Sequence, residues 1–206
     1  MKINLFKLLS LAVPAAALFF SSCSPMGDTA MASDGSYYLA GYQSTPKQAN
    51  PSDPNVGGYW DGDGVSGPPS IRIVRPEQKA YFYKGNQLVG VTPISTGIEG
   101  RITPPGTFKV TEKDIDHSSS LYGVIRDRAT GQIVNDDADT RKDFPGPGQF
   151  FEHAPMPNFL RFNAGVGMHT GHLPGYAASH GCVRLPDAMA KKFYENATIG
   201  TPVIVE

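Results

Sequence analysis

Glycine and proline interrupt this chain so often that few long regular elements can form. There are 23 glycines and 18 prolines in 206 residues, about one residue in five. Both types end helices and punctuate strands, so the chain must fold as short strands joined by many turns. Charged residues make up 18% of it, below the roughly 25% of an ordinary soluble domain, and 40% is hydrophobic. That balance excludes a chain disordered throughout and a multispan membrane protein. With 18 Lys and Arg against 19 Asp and Glu the formal charge is -1, so no global field steers the protein toward nucleic acid, and none is expected as a partner.

The texture changes twice along the sequence. Lys2 and Lys7 precede a mostly apolar run over residues 8–20, which contains Pro14 and leads into Ser21 and Ser22. A run of about 13 residues falls short of the roughly 20 that span a bilayer, and residues 1–22 read as an export signal. The stretch Phe20-Ser21-Ser22-Cys23 resembles a bacterial lipobox, with Phe20 where Leu is usual. That resemblance implies an exported lipoprotein anchored in a lipid bilayer through Cys23 and facing the periplasm or cell wall. A disulfide between Cys23 and Cys182 is the competing reading.

Residues 24–67 are rich in Gly, Ser, Asp, Asn and Pro and hold three branched aliphatics, Leu39, Val56 and Val65. These are too few for a core, so residues 23–67 read as a flexible tether with an r.m.s. span of about 35–40 Å. Tyr37, Tyr38, Tyr42, Tyr59 and Trp60 offer an alternative, in which this cluster docks on the domain or on glycan. From residue 68 onward the pattern becomes that of one β-rich domain, 68–206. Ile71 and Ile73 alternate with polar neighbours, and residues 79–84 and 87–95 flank the hairpin signal Gly85-Asn86. Further strands are expected at 107–111, 121–126, 132–135, 159–162, 166–169 and 202–205. One convincing helix follows Pro186, with Met189, Ala190, Phe193 and Tyr194 on one face. Residues 136–149 read as a solvated acidic loop, with an active-site lid as the alternative.

Reactive side chains crowd into residues 168–186. His169, His172, His180 and Cys182 all fall there, in a chain with five His and two Cys. Residue types alone leave three readings open. Cys182 is a nucleophile activated by an imidazole, with Gly181 letting the backbone bend around the sulfur and nearby N–H groups forming an oxyanion hole. Alternatively, His169, His172, His180 and Cys182 are a zinc ligand set. In the third reading Cys182 is a buried structural thiol beside hydrogen-bonded histidines.

The run Ser179-His180-Gly181-Cys182-Val183-Arg184-Leu185, with His169 upstream, closely resembles the signature of the L,D-transpeptidase family, the YkuD-like catalytic domain, in its short-loop subgroup. The similarity extends back through Ile71-Arg72-Ile73-Val74, Ser95-Thr96-Gly97 and Thr103-Pro104-Pro105-Gly106-Thr107-Phe108. It implies a mainly β fold, a single sandwich or barrel domain with one or two short helices, acting on peptidoglycan stem peptides in cell-wall biogenesis without a cofactor or metal. Cys182 would attack the carbonyl of the third stem residue, expel the terminal D-alanine and form a thioester that a neighbouring stem amine resolves. His169 would hold the thiolate as an ion pair, oriented by the carbonyl of Thr170. Ser179, His180 and Gly181 would shape the pocket and oxyanion hole, and Arg184 would brace the motif or meet a substrate carboxylate. Water as acceptor would make the same site an L,D-carboxypeptidase or amidase, and a protein lysine would make it an anchoring enzyme. A monomer is expected.

Overall fold

The computed structural model describes residues 58–206. The export signal, Cys23 and residues 24–57 with Tyr37, Tyr38 and Tyr42 lie outside the described residues. In chain order come β1 (Tyr59–Trp60), β2 (Pro69–Val74), β3 (Lys79–Lys84), β4 (Gln87–Pro93) and β5 (Gly106–Lys109). Then follow β6 (Glu112–Asp114), β7 (Ser118–Asp127), β8 (Ile133–Asp139), β9 (Gln149–Pro155) and β10 (Phe159–Asn163). The chain closes with β11 (Val166–Thr170), β12 (Val183–Leu185), α1 (Asp187–Asn196) and β13 (Pro202–Val205). They build a six-stranded sheet in the order β1-β4-β3-β2-β13-β5, a four-stranded sheet β12-β11-β10-β6 and a three-stranded sheet β8-β7-β9. The expected mainly β fold is therefore present as three separate open sheets, with no barrel closure and one helix among the described residues. No helix among them is long and apolar enough to cross a membrane.

Period-two alternation explains the six-stranded sheet. Ile71 and Ile73 on β2, Ala80 and Phe82 on β3, and Val203 and Val205 on β13 all point into one core, while Arg72 and Ile204 between them do not. The last strand enters the middle of the sheet, parallel to β2 with Val203 opposite Ile71, and antiparallel to β5 with Val203 opposite Phe108. Leu160 and Phe162 of β10, Met168 of β11, and Val183 and Leu185 of β12 complete the core with Met189, Ala190 and Phe193 of α1. The helix has no basic residue in its last turn. Lys113 of β6 supplies the missing charge, donating from Nζ to the carbonyls of Tyr194 and Ala197 at 2.6 Å each. A cation at this end satisfies orphan carbonyls and opposes the helix dipole.

Residues 58–67, assigned by composition to the tether, are built into the domain. Strand β1 pairs antiparallel with β4, Tyr59 opposite Val91 and Trp60 opposite Gly90. The Trp60 indole lies 5.2 Å from the Phe82 ring, edge to face, and 6.3 Å from that of Phe193. It fits because its neighbours are glycines: a Cβ on Gly90 would stand 2.7 Å from the indole and one on Gly62 2.5 Å. Trp60 Nε1 donates to Asp63 at 2.8 Å, and Asp63 in turn holds Lys192 of α1 at 2.9 Å. One large aromatic with a satisfied N–H thus docks a polar strap that lacks the aliphatics of an ordinary core segment. Residues 136–149 also differ from a simple loop, since the first four belong to β8 and the last begins β9.

Removing that strap should cost what burying a large aromatic contributes, about 3 kcal/mol. A chain beginning at Pro69 is therefore expected to unfold on the order of 5–10 °C below one beginning at Gly58. Equal midpoints in thermal denaturation would show that the strap is only laid on the surface.

Candidate active site

The alternation that fills the core also selects the residues of the site. On β11 and β12, Met168, Val183 and Leu185 point inward, so His169 and Arg184 project from the opposite face. The two strands run parallel, with Met168 opposite Val183 and His169 opposite Arg184. One step earlier in that register Cys182 enters beside Gly167. The three-stranded sheet covers this face, and the pocket between them is lined by Cys182, His169, His180, Ser179 and Arg184, with Ser119 to Tyr122 of β7 as the facing wall.

The turn that carries Cys182 is held by backbone. Ser95 and Arg184 exchange both backbone hydrogen bonds, 3.0 and 2.9 Å, and Thr96 O accepts from the N–H of Ala178 and Ser179. Ser95 Oγ donates to the Tyr176 carbonyl at 2.7 Å. Gly97 lies so close to the turn that a Cβ there would sit 2.0 Å from the Arg101 carbonyl and 2.9 Å from Gly181 Cα. Thr103, fully buried, joins the two segments: its hydroxyl accepts from Gly97 N at 3.0 Å and donates to the Gly181 carbonyl at 2.8 Å. The sequence places Thr103 in a Pro-Gly turn with nothing to mark it as a clamp, because its partner lies 78 residues away.

Ser179 is buried and closes the turn from within. Its hydroxyl donates to the Cys182 carbonyl and accepts from Gly181 N at 3.1 Å. The Gly181 N–H thereby bonds inside the turn. Gly181 has φ +123, a conformation that favours glycine, so the sharp bend itself requires the residue. His180 faces the pocket; its Nε2 meets Asp137 of β8 at 3.1 Å and its ring lies 4.3 Å from that of Tyr122. Burial lowers its pKa, opposed by the Asp137 charge. Arg184 is buried, its aliphatic stem packed where a Cβ on Gly171 would stand.

His169 is 2% exposed, and its Nδ1 lies 2.8 Å from the Thr170 carbonyl. A carbonyl only accepts, so Nδ1 carries the hydrogen and Nε2 of the neutral ring keeps its lone pair. That Nε2 is buried with no hydrogen-bond partner among the described residues. The Thr170 side chain extends the support, accepting from Asn158 at 3.1 Å and donating to Asp187, the first residue of α1, at 3.2 Å. Burial pulls the His169 pKa down to about 4, with the Thr170 hydrogen bond opposing and Arg184 and His117 assisting. Burial pushes the Cys182 thiol up, against weaker pulls from the Gly167 N–H, Arg161 and Arg184. Both shifts favour the neutral thiol and neutral imidazole. The ion pair expected from sequence is disfavoured because both charges would be desolvated together. The thiol is 3.9 Å from the Gly165 carbonyl, and no hydrogen bond joins it to His169.

The four residues of the zinc reading do not converge: no three of them bring ligand atoms within 4.8 Å of one another. His172 lies exposed beyond the end of β11. Among the described residues the converging set is Glu112, Asp114 and His117. Its members are already matched internally, His117 with Asp114 at 3.0 Å and Glu112 with Arg161 at 2.6 Å. Cys182 is a free cysteine, and Cys23 lies outside the described residues.

Two outcomes follow from these contacts. Thr103→Val strands the Gly181 carbonyl and the Gly97 N–H in a buried place and is expected to cost about 2–4 kcal/mol in urea denaturation. Thr103→Ser keeps the hydroxyl and should cost under about 1.5 kcal/mol; equal losses would refute the clamp. For His169 the folded pKa lies below the unfolded value, so the unfolded chain binds a proton first as pH falls. Stability should then drop by about 2–3 kcal/mol between pH 7 and pH 4.5 on account of His169. His169→Gln should flatten that slope, and an unchanged slope would show that folding does not lower the His169 pKa.

A family model described as the YkuD L,D-transpeptidase catalytic domain matches residues 68–205. No curated protein sequence matches at a significant level. Among solved structures, the L,D-transpeptidase of Stackebrandtia nassauensis is 22% identical with a TM-score of 0.48, covering 69% of this chain and 57% of that one. An L,D-transpeptidase from Xylanimonas cellulosilytica is 22% identical at a TM-score of 0.49, covering 69% and 62%. A C442S mutant of the Enterococcus faecium L,D-transpeptidase is 23% identical at a TM-score of 0.49, covering 68% and 50%. The chain thus spans less than two thirds of the length of each of these three structures.

Proposed function

Because the chain belongs to the L,D-transpeptidase catalytic-domain family, we propose that it is a cysteine L,D-transpeptidase acting on peptidoglycan stem peptides. The observation that carries this reading is a thiol lining the same pocket as an imidazole whose Nδ1–H is tied to a carbonyl, leaving a buried Nε2 with no partner among the described residues. Such a nitrogen is a base held ready without solvent competition.

In the proposed reaction a stem tetrapeptide displaces water from the pocket and presents the carbonyl of its third residue to Cys182. The thiol proton moves to His169 Nε2 as Sγ attacks, so charge appears only as the bond forms. Backbone N–H groups of the 180–182 turn other than that of Gly181 would stabilise the oxyanion. His169 then gives the proton to the departing D-alanine nitrogen, the C–N bond breaks and a thioester remains. A stem amine attacks the thioester and yields its proton to Nε2; the C–S bond breaks as the new amide forms, and Nε2 returns that proton to Sγ. The rigid turn positions the sulfur in advance, which lowers the entropic part of the barrier. The same reading has the chain exported, lipidated at Cys23 and held at a membrane by the segment that follows it, with the domain working as a monomer on the wall.

Mass spectrometry of the protein incubated with a tetrapeptide-stem muropeptide tests this. The expected sequence is loss of D-alanine, a transient adduct on Cys182, and crosslinked dimer. Cys182→Ala should abolish turnover and His169→Ala should lower it at least about a hundredfold. In the Cys23→Ala protein, turnover should persist while the activity moves from the membrane to the soluble fraction. Tripeptide without dimer would assign a hydrolase, and absence of any adduct would overturn the reading.

A further inference from the structure

One cation beside the pocket has no part in the reaction described above. Arg101 lies in the turn after Gly97, with its backbone N–H bonded to Ile98 O at 3.0 Å. That turn runs against the nucleophile turn: Ile98 N donates to Ser179 O at 3.0 Å, and the Arg101 carbonyl is 3.6 Å from where a Cβ on Gly181 would stand. The half-buried side chain leans over the Tyr122 ring, its guanidinium carbon 5.7 Å from the centroid. Tyr122 and His180, whose rings lie 4.3 Å apart, both line the pocket, so the guanidinium stands at its rim.

Among the described residues the cations Arg161 and Arg141 have carboxylate partners, and Arg101 has none. Arg161 holds Glu112 at 2.6 Å, Arg141 holds Asp139 at 2.6 Å, and Asp137 is engaged by His180 at 3.1 Å. Glu99, in the same turn as Arg101, makes no ion pair with it. A guanidinium held over an aromatic ring, partly screened from water and left without a counter-ion, is a preorganised receptor for a planar anion. Exposed Ile98 and Ile102 on either side, 38% and 52% exposed, make the surroundings suited to a peptide carrying that anion rather than to a bare ion.

We propose that Arg101 is a specificity-determining residue that binds the terminal carboxylate of the leaving D-alanine, with Tyr122 holding the guanidinium in place. This rests on the transpeptidase reading of the pocket. In any peptide ending one residue past the scissile bond, that carboxylate lies within about 4 Å of the carbonyl under attack, closer than any other acid of the stem. Arg161 and Arg184 also line the pocket, but Arg161 is held by Glu112 and the Arg184 stem is packed against Gly171, so Arg101 at the rim is the cation set to meet this group. It lets the site tell a stem that ends at this residue from one that continues or is capped.

The test compares a tetrapeptide stem bearing a free terminal carboxylate with the same stem as its terminal amide, in wild type, Arg101→Gln and Arg101→Lys. The wild type is expected to favour the acid in kcat/KM, and Arg101→Gln to reduce that preference about tenfold, chiefly through KM. Arg101→Lys, which keeps the charge and loses the fork, should fall between. If Arg101→Gln lowers acid and amide equally, Arg101 merely braces Tyr122 and the proposal fails. A second readout does not depend on peptidoglycan: the ratio of Cys182 alkylation rates by iodoacetate and iodoacetamide at one pH, in which the thiolate fraction cancels. Arg101→Gln should lower this ratio roughly threefold or more. If the wild type turns over neither stem, the transpeptidase reading fails, and a lowered ratio would still uphold an anion site at Arg101. An unchanged ratio overturns the site whatever the stems do.

Discussion

The parallel pairing of β11 with β12 is the contact on which the rest of the site depends. It sets His169 opposite Arg184 and brings the Cys182 end of the 179–182 turn alongside Gly167. A parallel pair needs a crossover connection, and here residues 171–182 make that return without a helix. Such a connection has little secondary structure to hold it. Ser95 and Thr96 substitute for a neighbouring strand, giving their backbone groups to Ala178, Ser179 and Arg184, and Thr103 locks Gly181 from below. The Cys182 turn is thus held in place by another segment that serves as its template.

Burial decides the electrostatics of the pair. His169 is buried and Cys182 half-buried between two sheets, and desolvation moves both pKa values toward the neutral forms. The Thr170 carbonyl then does more than orient a ring. By holding the hydrogen on Nδ1 it leaves Nε2 as the basic nitrogen, and the Thr170 hydroxyl carries the support on to Asp187 at the start of α1. Helix, sheet and site are one hydrogen-bonded unit, with the helix end held in turn by Lys113.

The three-stranded sheet gives the pocket its other wall. The Tyr122 ring of β7 lies tilted against that of His180, and Asp137 of β8 reaches the same imidazole, so the acidic stretch that composition marks as solvated is partly fastened to the turn that carries Cys182. Asp139 is buried and bound to Arg141, whose guanidinium holds its carboxyl well below the usual range. An acidic composition gives no sign of this, because the partners that neutralise the charges lie on other strands or later in the same turn.

What the sequence by itself determined was local. Alternation in residues 71–74, 79–84 and 202–205 foretold the strands of the central sheet, the Gly85-Asn86 signal marked its hairpin, and Pro186 with its periodic apolar residues marked the helix. The run from Ser179 to Leu185 was specific enough to point to the family later matched over residues 68–205. Short strands such as β6 and β12 carry too few residues for any period to show. Only the tertiary structure decided that Trp60 packs against the core, that Thr103 is a clamp, that the Gly181 N–H bonds inside the turn, and that burial favours the uncharged thiol and imidazole. Each of these depends on what lies across a fold of many residues: a glycine opposite an indole, a carbonyl 78 positions away, or a sheet that shuts out water. Periodicity and motif record neighbours along the chain, whereas packing and desolvation are properties of neighbours in space.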